Sequence, residues 1–167
     1  MDRPDVAGFF DAATNTISYV VRDPGSRACA IVDPVMDFDQ AAGRISFAGA
    51  DAIAAHVRAH GLEVQWIVET HVHADHLSAA QYLRERLGGR VAIGERITVV
   101  QESFGRIFDE GPGFRRDGSQ FDRLLDDGER FAVGALVVRR AASARSSWGS
   151  PGSTARSRKK LIWRPRS

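Results

Sequence analysis

Thr70-His71-Val72-His73-Ala74-Asp75-His76 places three imidazoles and a carboxylate within six residues. Imidazole nitrogens and carboxylate oxygens are ligands for first-row metals, and imidazole suits zinc and iron. Side chains alternate along an extended segment, so His71 and His73 are expected to point the same way. Asp75 keeps that parity and His76 faces differently. The H-x-H-x-D-H pattern therefore offers a pair of imidazoles to one metal and a carboxylate with an imidazole to a second. The chain has five His, and three stand here, which argues against a surface loop that is His-rich by chance.

The flanks place this stretch. Glu63 to Glu69 (Glu-Val-Gln-Trp-Ile-Val-Glu) reads as a strand. Leu77 to Leu87 reads as a helix starting at His76, with Leu77, Ala80, Leu83 and Leu87 on its apolar face and Gly88-Gly89 as its stop. Strand, His-rich loop and helix put the ligands at the C-terminal end of a strand, where open α/β sheets hold their sites.

Upstream, residues 6–10 and 16–22 are β-branched and aromatic, Asp23-Pro24-Gly25-Ser26 is a turn, and Ala28 to Val32 is a third strand. These three are expected to form an antiparallel meander. Asp37 to Ser46 is polar and reads as a loop. Gly49 to His60 is helical, with Ile53 and Val57 on one stripe and Gly61 as its C′ residue. His56 and His60 stand four apart on this helix, a spacing that can bind metal, but no third ligand is nearby. A solvated or capping role is expected for them. Downstream, Val91 to Ile93 is a strand, Glu95 to Phe108 a helix, Gly111 to Ser119 a loop, and Phe121 to Leu125 ambiguous. Arg130 to Val133 and Ala135 to Arg139 pair as a hairpin across Gly134.

The 167 residues are of single-domain length, with an ordinary 43% of hydrophobic residues. No apolar run reaches about 18 residues, so no membrane partner is expected. The first residues lack the basic and apolar regions of a secretory signal. The single cysteine, Cys29, lies in an apolar run, reads as a buried thiol, and fits a reducing cytoplasm. The net charge of +2 hides an asymmetry. Nine Lys or Arg and no acid stand from Arg139 onward, while the other 14 basic residues face all 21 acids, a net of −7.

After Arg140 apolar periodicity is lost. Residues 141–160 are mostly Ala, Ser, Arg and Gly, and Leu161-Ile162-Trp163 is the one apolar cluster. Such a segment buries too little surface to offset its ordering entropy. The expected organisation is a folded domain over residues 1–140 and a disordered basic tail over 141–167. Six Lys or Arg between Arg156 and Arg166, with Trp163 for stacking, match the composition of a nucleic-acid-binding tail. Basic runs are more often solvated, so no nucleic-acid partner is expected.

The H-x-H-x-D-H motif after a strand resembles the metallo-β-lactamase fold superfamily. Further elements resemble one branch, the persulfide dioxygenases, close cousins of glyoxalase II. These are Cys29-Ala30-Ile31-Val32-Asp33-Pro34-Val35-Met36-Asp37, Gly43-Arg44, Thr70 to Ala80, Ile93-Gly94-Glu95, Asp117 to Asp122 and Asp127 to Phe131. The resemblance covers residues 6 to 138. It implies an α/β fold, the αββα sandwich, of which this chain would supply the N-terminal half and the start of the second. It implies a metal-dependent enzyme with a glutathione-derived substrate: oxidation of glutathione persulfide to sulfite on one Fe(II), or thioester hydrolysis on Zn(II). By position His71 matches the first iron ligand. His73, Asp75 and His76 match the rest of the motif, which binds metal directly in dinuclear zinc members.

The family carries another His soon after the strand that residues 135–139 resemble, then an Asp and, in the hydrolases, a further His. This chain has no His after His76 and no acid after Glu129. The family pattern is expected to be cut off or frameshifted after about residue 139, leaving weak metal binding and little catalysis in this chain alone. A half-sandwich exposes one sheet face, so a homo-oligomer is also expected.

Overall fold

The computed structural model describes residues 3–73, 77–107, 115–141 and 160–165. Four strands open the chain: β1 (Asp5–Asp11), β2 (Thr16–Arg22), β3 (Ala28–Val32) and β4 (Val35–Asp39). β5 (Arg44–Ser46), α1 (Ala48–Ala59), β6 (Glu63–Val68), β7 (Leu77–Ser78) and α2 (Ala80–Leu87) follow. Then come β8 (Arg90–Gly94), α3 (Ile97–Ile107), β9 (Arg123–Leu125), β10 (Arg130–Val133), β11 (Leu136–Ala141) and β12 (Lys160–Pro165).

A six-stranded sheet in the order β1-β2-β3-β6-β8-β9 forms the centre. Its first three strands are the antiparallel meander expected from their composition. From β3 onward the pairings are parallel, β3 with β6, β6 with β8 and β8 with β9. Parallel strands need crossovers, and both faces of β3 and β6 are therefore covered: all five residues of β3 are buried. Cys29, Ile31, Val64, Ile67 and Val91 pack with Ile53, Ala54 and Val57 of α1 and Leu83 of α2. On the opposite face Ala30, Trp66, Val68 and Ala92 pack against Phe131, Val133 and Val138 of the sheet β10-β11-β12. Trp66, 2% exposed, spans the two sheets, because its indole N–H donates to the Ala132 carbonyl at 3.0 Å.

The segment Asp37 to Ser46, expected as a loop, carries the hairpin of β4 and β5 instead. β4 also pairs with β7, so Leu77 and Ser78 are strand and the helix begins only at Ala80. The pattern missed this because backbone pairing to Val35 and Met36 overrides the apolar stripe beginning at Leu77. The third helix starts at Ile97, two residues later than expected. Phe121 to Leu125, ambiguous in sequence, yields β9. Asp37 substitutes for a local cap on α1: its carboxylate accepts the Gly49 N–H at 3.0 Å, while Phe47 at the cap position makes no side-chain bond. Gly61 closes α1 at φ +58, the left-handed geometry of its expected C′ role. His60 is the C-cap, with Nδ1 2.9 Å from the His56 carbonyl oxygen, as a capping role requires.

Residues 142–159 lie outside the described residues, as do residues 111–114 of the expected loop Gly111 to Ser119. Within the tail expected to be disordered, Leu161-Ile162-Trp163 instead runs in β12, antiparallel to β11, and Leu161 and Trp163 pack on the inter-sheet core. On the central sheet, Val6, Phe10, Ile17 and Tyr19 of β1 and β2 stay 57%, 63%, 40% and 37% exposed, a contiguous apolar surface.

Candidate metal centre

Three parallel strands end together. β3 runs into Asp33, β6 into Glu69 and the His stretch, and β8 into Gly94. Two backbone bonds tie these ends: Asp33 N–H to the Val68 carbonyl and Glu69 N–H to the Ala92 carbonyl, both 2.9 Å. The loop Thr70 to His73 thus leaves a rigid platform at the carboxyl edge of the sheet.

Asp33 anchors the loop. Its backbone turns into the left-handed region at φ +48, which Asp tolerates better than most residues. Its carboxylate accepts the Thr70 N–H at 2.7 Å and the Thr70 hydroxyl at 2.6 Å. Glu69, 4% exposed, anchors both ends of the motif, because its carboxylate faces His73 Nε2 at 2.7 Å and also accepts the Ser78 hydroxyl. Ser78 sits in β7, so the small sheet closes the far end of the loop.

His73 lies inside this frame with a side chain only 4% exposed, its Nε2 2.7 Å from Glu69 and 3.2 Å from Asp33. Burial alone would disfavour its charged form. Hydrogen bonds and charge from Asp33 and Glu69 outweigh burial and raise its pKa to about 9. Burial likewise pushes Asp33 up, and the bonds from His73 and Thr70 overcome it, so Asp33 is held below the usual carboxylate range. Such carboxylate–imidazole contacts orient metal-binding histidines in known metal sites.

The rings of His71 and His73 stand edge to face, with centroids 4.1 Å apart. One ligand atom from each, with one carboxylate oxygen of Asp33, falls within 4.8 Å of the others. Two imidazoles and a carboxylate are a donor set that fits a first-row divalent ion. A metal taken up there must displace the proton on His73, so its affinity rises with pH.

His71 and His73 thus lie side by side, and Asp75 and His76 lie outside the described residues. Asp33 and Glu69 were not anticipated as partners of the histidines. Glu69 adjoins the motif directly, and an acid ending an apolar strand beside a metal-type histidine is a usable signal. Asp33 is 37 residues from Thr70, and only the parallel pairing of β3 with β6 brings them together.

The metallo-beta-lactamase superfamily pattern matches residues 13–141. The chain belongs to that superfamily. A probable metallo-hydrolase of Burkholderia pseudomallei (strain 1710b) is 58% identical over 134 residues, 80% of this chain and 46% of that protein. Glyoxylase B2 of Dictyostelium discoideum is 42% identical over 132 residues, 78% of this chain and 45% of that protein. The human mitochondrial persulfide dioxygenase ETHE1 is 25% identical over 134 residues, 80% of this chain and 41% of that protein. The crystal structure of ETHE1 from Myxococcus xanthus shares the fold at TM-score 0.56 and 24% identity, over 81% of this chain and 46% of that one. The chain spans less than half the length of these superfamily relatives. Among the described residues the helix, sheet and sheet layers of the sandwich are present, with the His stretch at the sheet edge.

Proposed function

We propose that His71, His73, Asp75 and His76, with Asp33, hold a transition metal, and that the enzyme built on this fold oxidises a glutathione-derived persulfide. The observation that carries the reading is the convergence of the Asp33, His71 and His73 ligand atoms within 4.8 Å. Fe(II) is the metal this chemistry requires, since it supplies open positions for O₂ and the persulfide sulfur when bound. The reaction balances as persulfide, O₂ and water giving thiol and sulfite. The terminal sulfur gives up four electrons, O₂ takes them, and water supplies the third oxygen of the sulfite.

The chain's own residues orient and exclude. Asp33 and Glu69 hold the His73 ring through Nε2. Thr70, bound to Asp33, lies 3.0 Å from His71 Nδ1 through its hydroxyl and restrains that ring. With no His after His76 and no acid after Glu129, this chain completes at most part of a ligand set. Activity of the chain alone is expected to be slight.

A second reading is thioester hydrolysis on zinc, supported by the relatives named metallo-hydrolase and Glyoxylase B2 at 58% and 42% identity. Metal analysis after growth with both ions separates the two: one iron supports the oxygenase, two zincs the hydrolase. Oxygen uptake with glutathione persulfide, against release of thiol from a 2-hydroxyacyl glutathione thioester, is the activity test. Retention of neither metal would reject both readings and leave a non-catalytic remnant. The exposed Val6, Phe10, Ile17 and Tyr19 also support self-association, and a monomer by light scattering at micromolar concentration would reject it.

A further inference from the structure

A cavity of about 210 Å³ opens beside His71, between the ends of β6, β8 and β11. Val68, Ile93, Ile97, Val100 and Leu161 make its walls apolar, and Arg96 and Arg140 also line it. Arg140 is half-buried and reaches the recess by lying across Gly94, where a Cβ would stand 2.3 Å from its Nη2. Its Nη1 donates to the Leu125 carbonyl at 3.0 Å, which uses one of five N–H donors and fixes the fork in place. Of the nearby acids, Glu69 is engaged with His73 and Ser78, while Glu95, hydrogen-bonded to Asp126, also feels the charges of Arg140 and Arg96 at the rim. The N-terminal turn of α3 borders the recess and carries no acid, so its dipole adds positive potential.

An apolar recess with a positioned guanidinium suits a carboxylate, which arginine binds in a planar, charge-assisted fork. The volume lies below the roughly 300 Å³ at which pockets take a whole drug-sized ligand, so it seats one end of a molecule. We infer that this recess binds a carboxylate of the substrate, with Arg140 as the recognition residue and Arg96 at the mouth, while the reacting end lies toward His71. The inference rests on the metal-site reading for the position of the reacting end, and not for the binding of the carboxylate.

The test uses the full metal-free chain, labelled with ¹⁵N, and two probes of equal shape, propionate and propionamide. Propionate is expected to shift the amides of Gly94 and Ala141 saturably, and propionamide is not. Arg140→Gln should weaken propionate binding at least tenfold, and Arg140→Lys less. Arg96→Gln, a change at an exposed position that leaves the fold intact, should weaken it a few-fold. Equal shifts from both probes, no saturable shift from propionate, or unchanged affinity in a folded Arg140→Gln variant would overturn the inference. Zinc titration of the same samples keeps the two readings apart. Propionate binding without zinc binding would remove the metal site and leave the recess, and zinc binding without propionate binding would do the reverse.

Discussion

The Asp33 carboxylate takes both the backbone N–H and the hydroxyl of Thr70, at 2.7 and 2.6 Å, so the end of β3 sets the geometry of the first residue of the His stretch. Thr70→Val keeps every metal donor and removes the hydroxyl's charge-assisted bond to Asp33 together with its contact to His71. It is expected to cost about 1.5–3 kcal/mol of stability and to lower zinc affinity about 10- to 100-fold, as loss of a supporting contact does elsewhere. Chelator competition reads the affinity and urea unfolding the stability. Wild-type zinc affinity in the variant would show that the Thr70 hydroxyl does not position the site.

Trp66 joins the two sheets through its bond to Ala132 and its contact with Phe131, whose ring centroid is 5.2 Å away. Trp66→Phe preserves most of the apolar volume but leaves the Ala132 carbonyl without its donor. A loss of about 1–3 kcal/mol is expected. Trp66→Ala should cost about 3–5 kcal/mol. Equal stability of the Phe variant and the wild type in chemical denaturation would remove the indole bond from the inter-sheet contacts.

Asp23 ties the turn between β2 and β3 to the turn between β10 and β11. It accepts the Ala135 N–H at 2.9 Å, with the Ser26 hydroxyl at 2.8 Å and the Gly25 N–H at 3.1 Å. The Ala135 bond, then that from Ser26, holds its pKa below the ordinary carboxylate value of 3.8 against the effect of burial. A carboxylate depressed in the folded state adds stability above its unfolded pKa and loses it as pH falls through the folded one. Part of the acid limb, below about pH 4, therefore belongs to Asp23. Asp23→Asn should be less stable at neutral pH and should fall less steeply over that limb. Parallel curves for the two proteins below pH 4 would rule out the coupling.

Cys29 is fully buried in β3, and burial pushes its thiol up to about 12. The thiolate is the reactive form, so at pH 8 a chromogenic disulfide reagent should label it only through unfolding. Labelling is expected to be at least a hundredfold slower in native buffer than in denaturant. Immediate stoichiometric labelling of the native chain would contradict the burial of this strand.

Much of the architecture is legible in local pattern. The β-branched runs of β1 and β2 and the apolar run of β3 fall at the observed strands. Gly61 and Gly134, both expected at turns, sit at φ +58 and +57. The period-two spacing of His71 and His73 anticipates their ring contact, because alternation acts over two residues and needs no distant partner. The short strands β4, β5 and β7 were not legible. Each has two to five residues, too few for a period to emerge, and exists through pairing to another segment.

By itself the sequence determined the family motif, the meander, the buried thiol and the nearness of two histidines, all properties of neighbouring residues or of a recognised pattern. Only the tertiary structure decided which carboxylates face them. Asp33 arrives through the parallel pairing of β3 with β6, and Glu69 faces His73 because β7 closes the loop through Ser78. It also decided that Arg140 crosses Gly94 into the recess beside His71, and that Leu161 to Trp163 pair with β11. These contacts depend on chain paths that bring remote segments to one sheet edge, and nothing in the local period of either partner encodes the meeting.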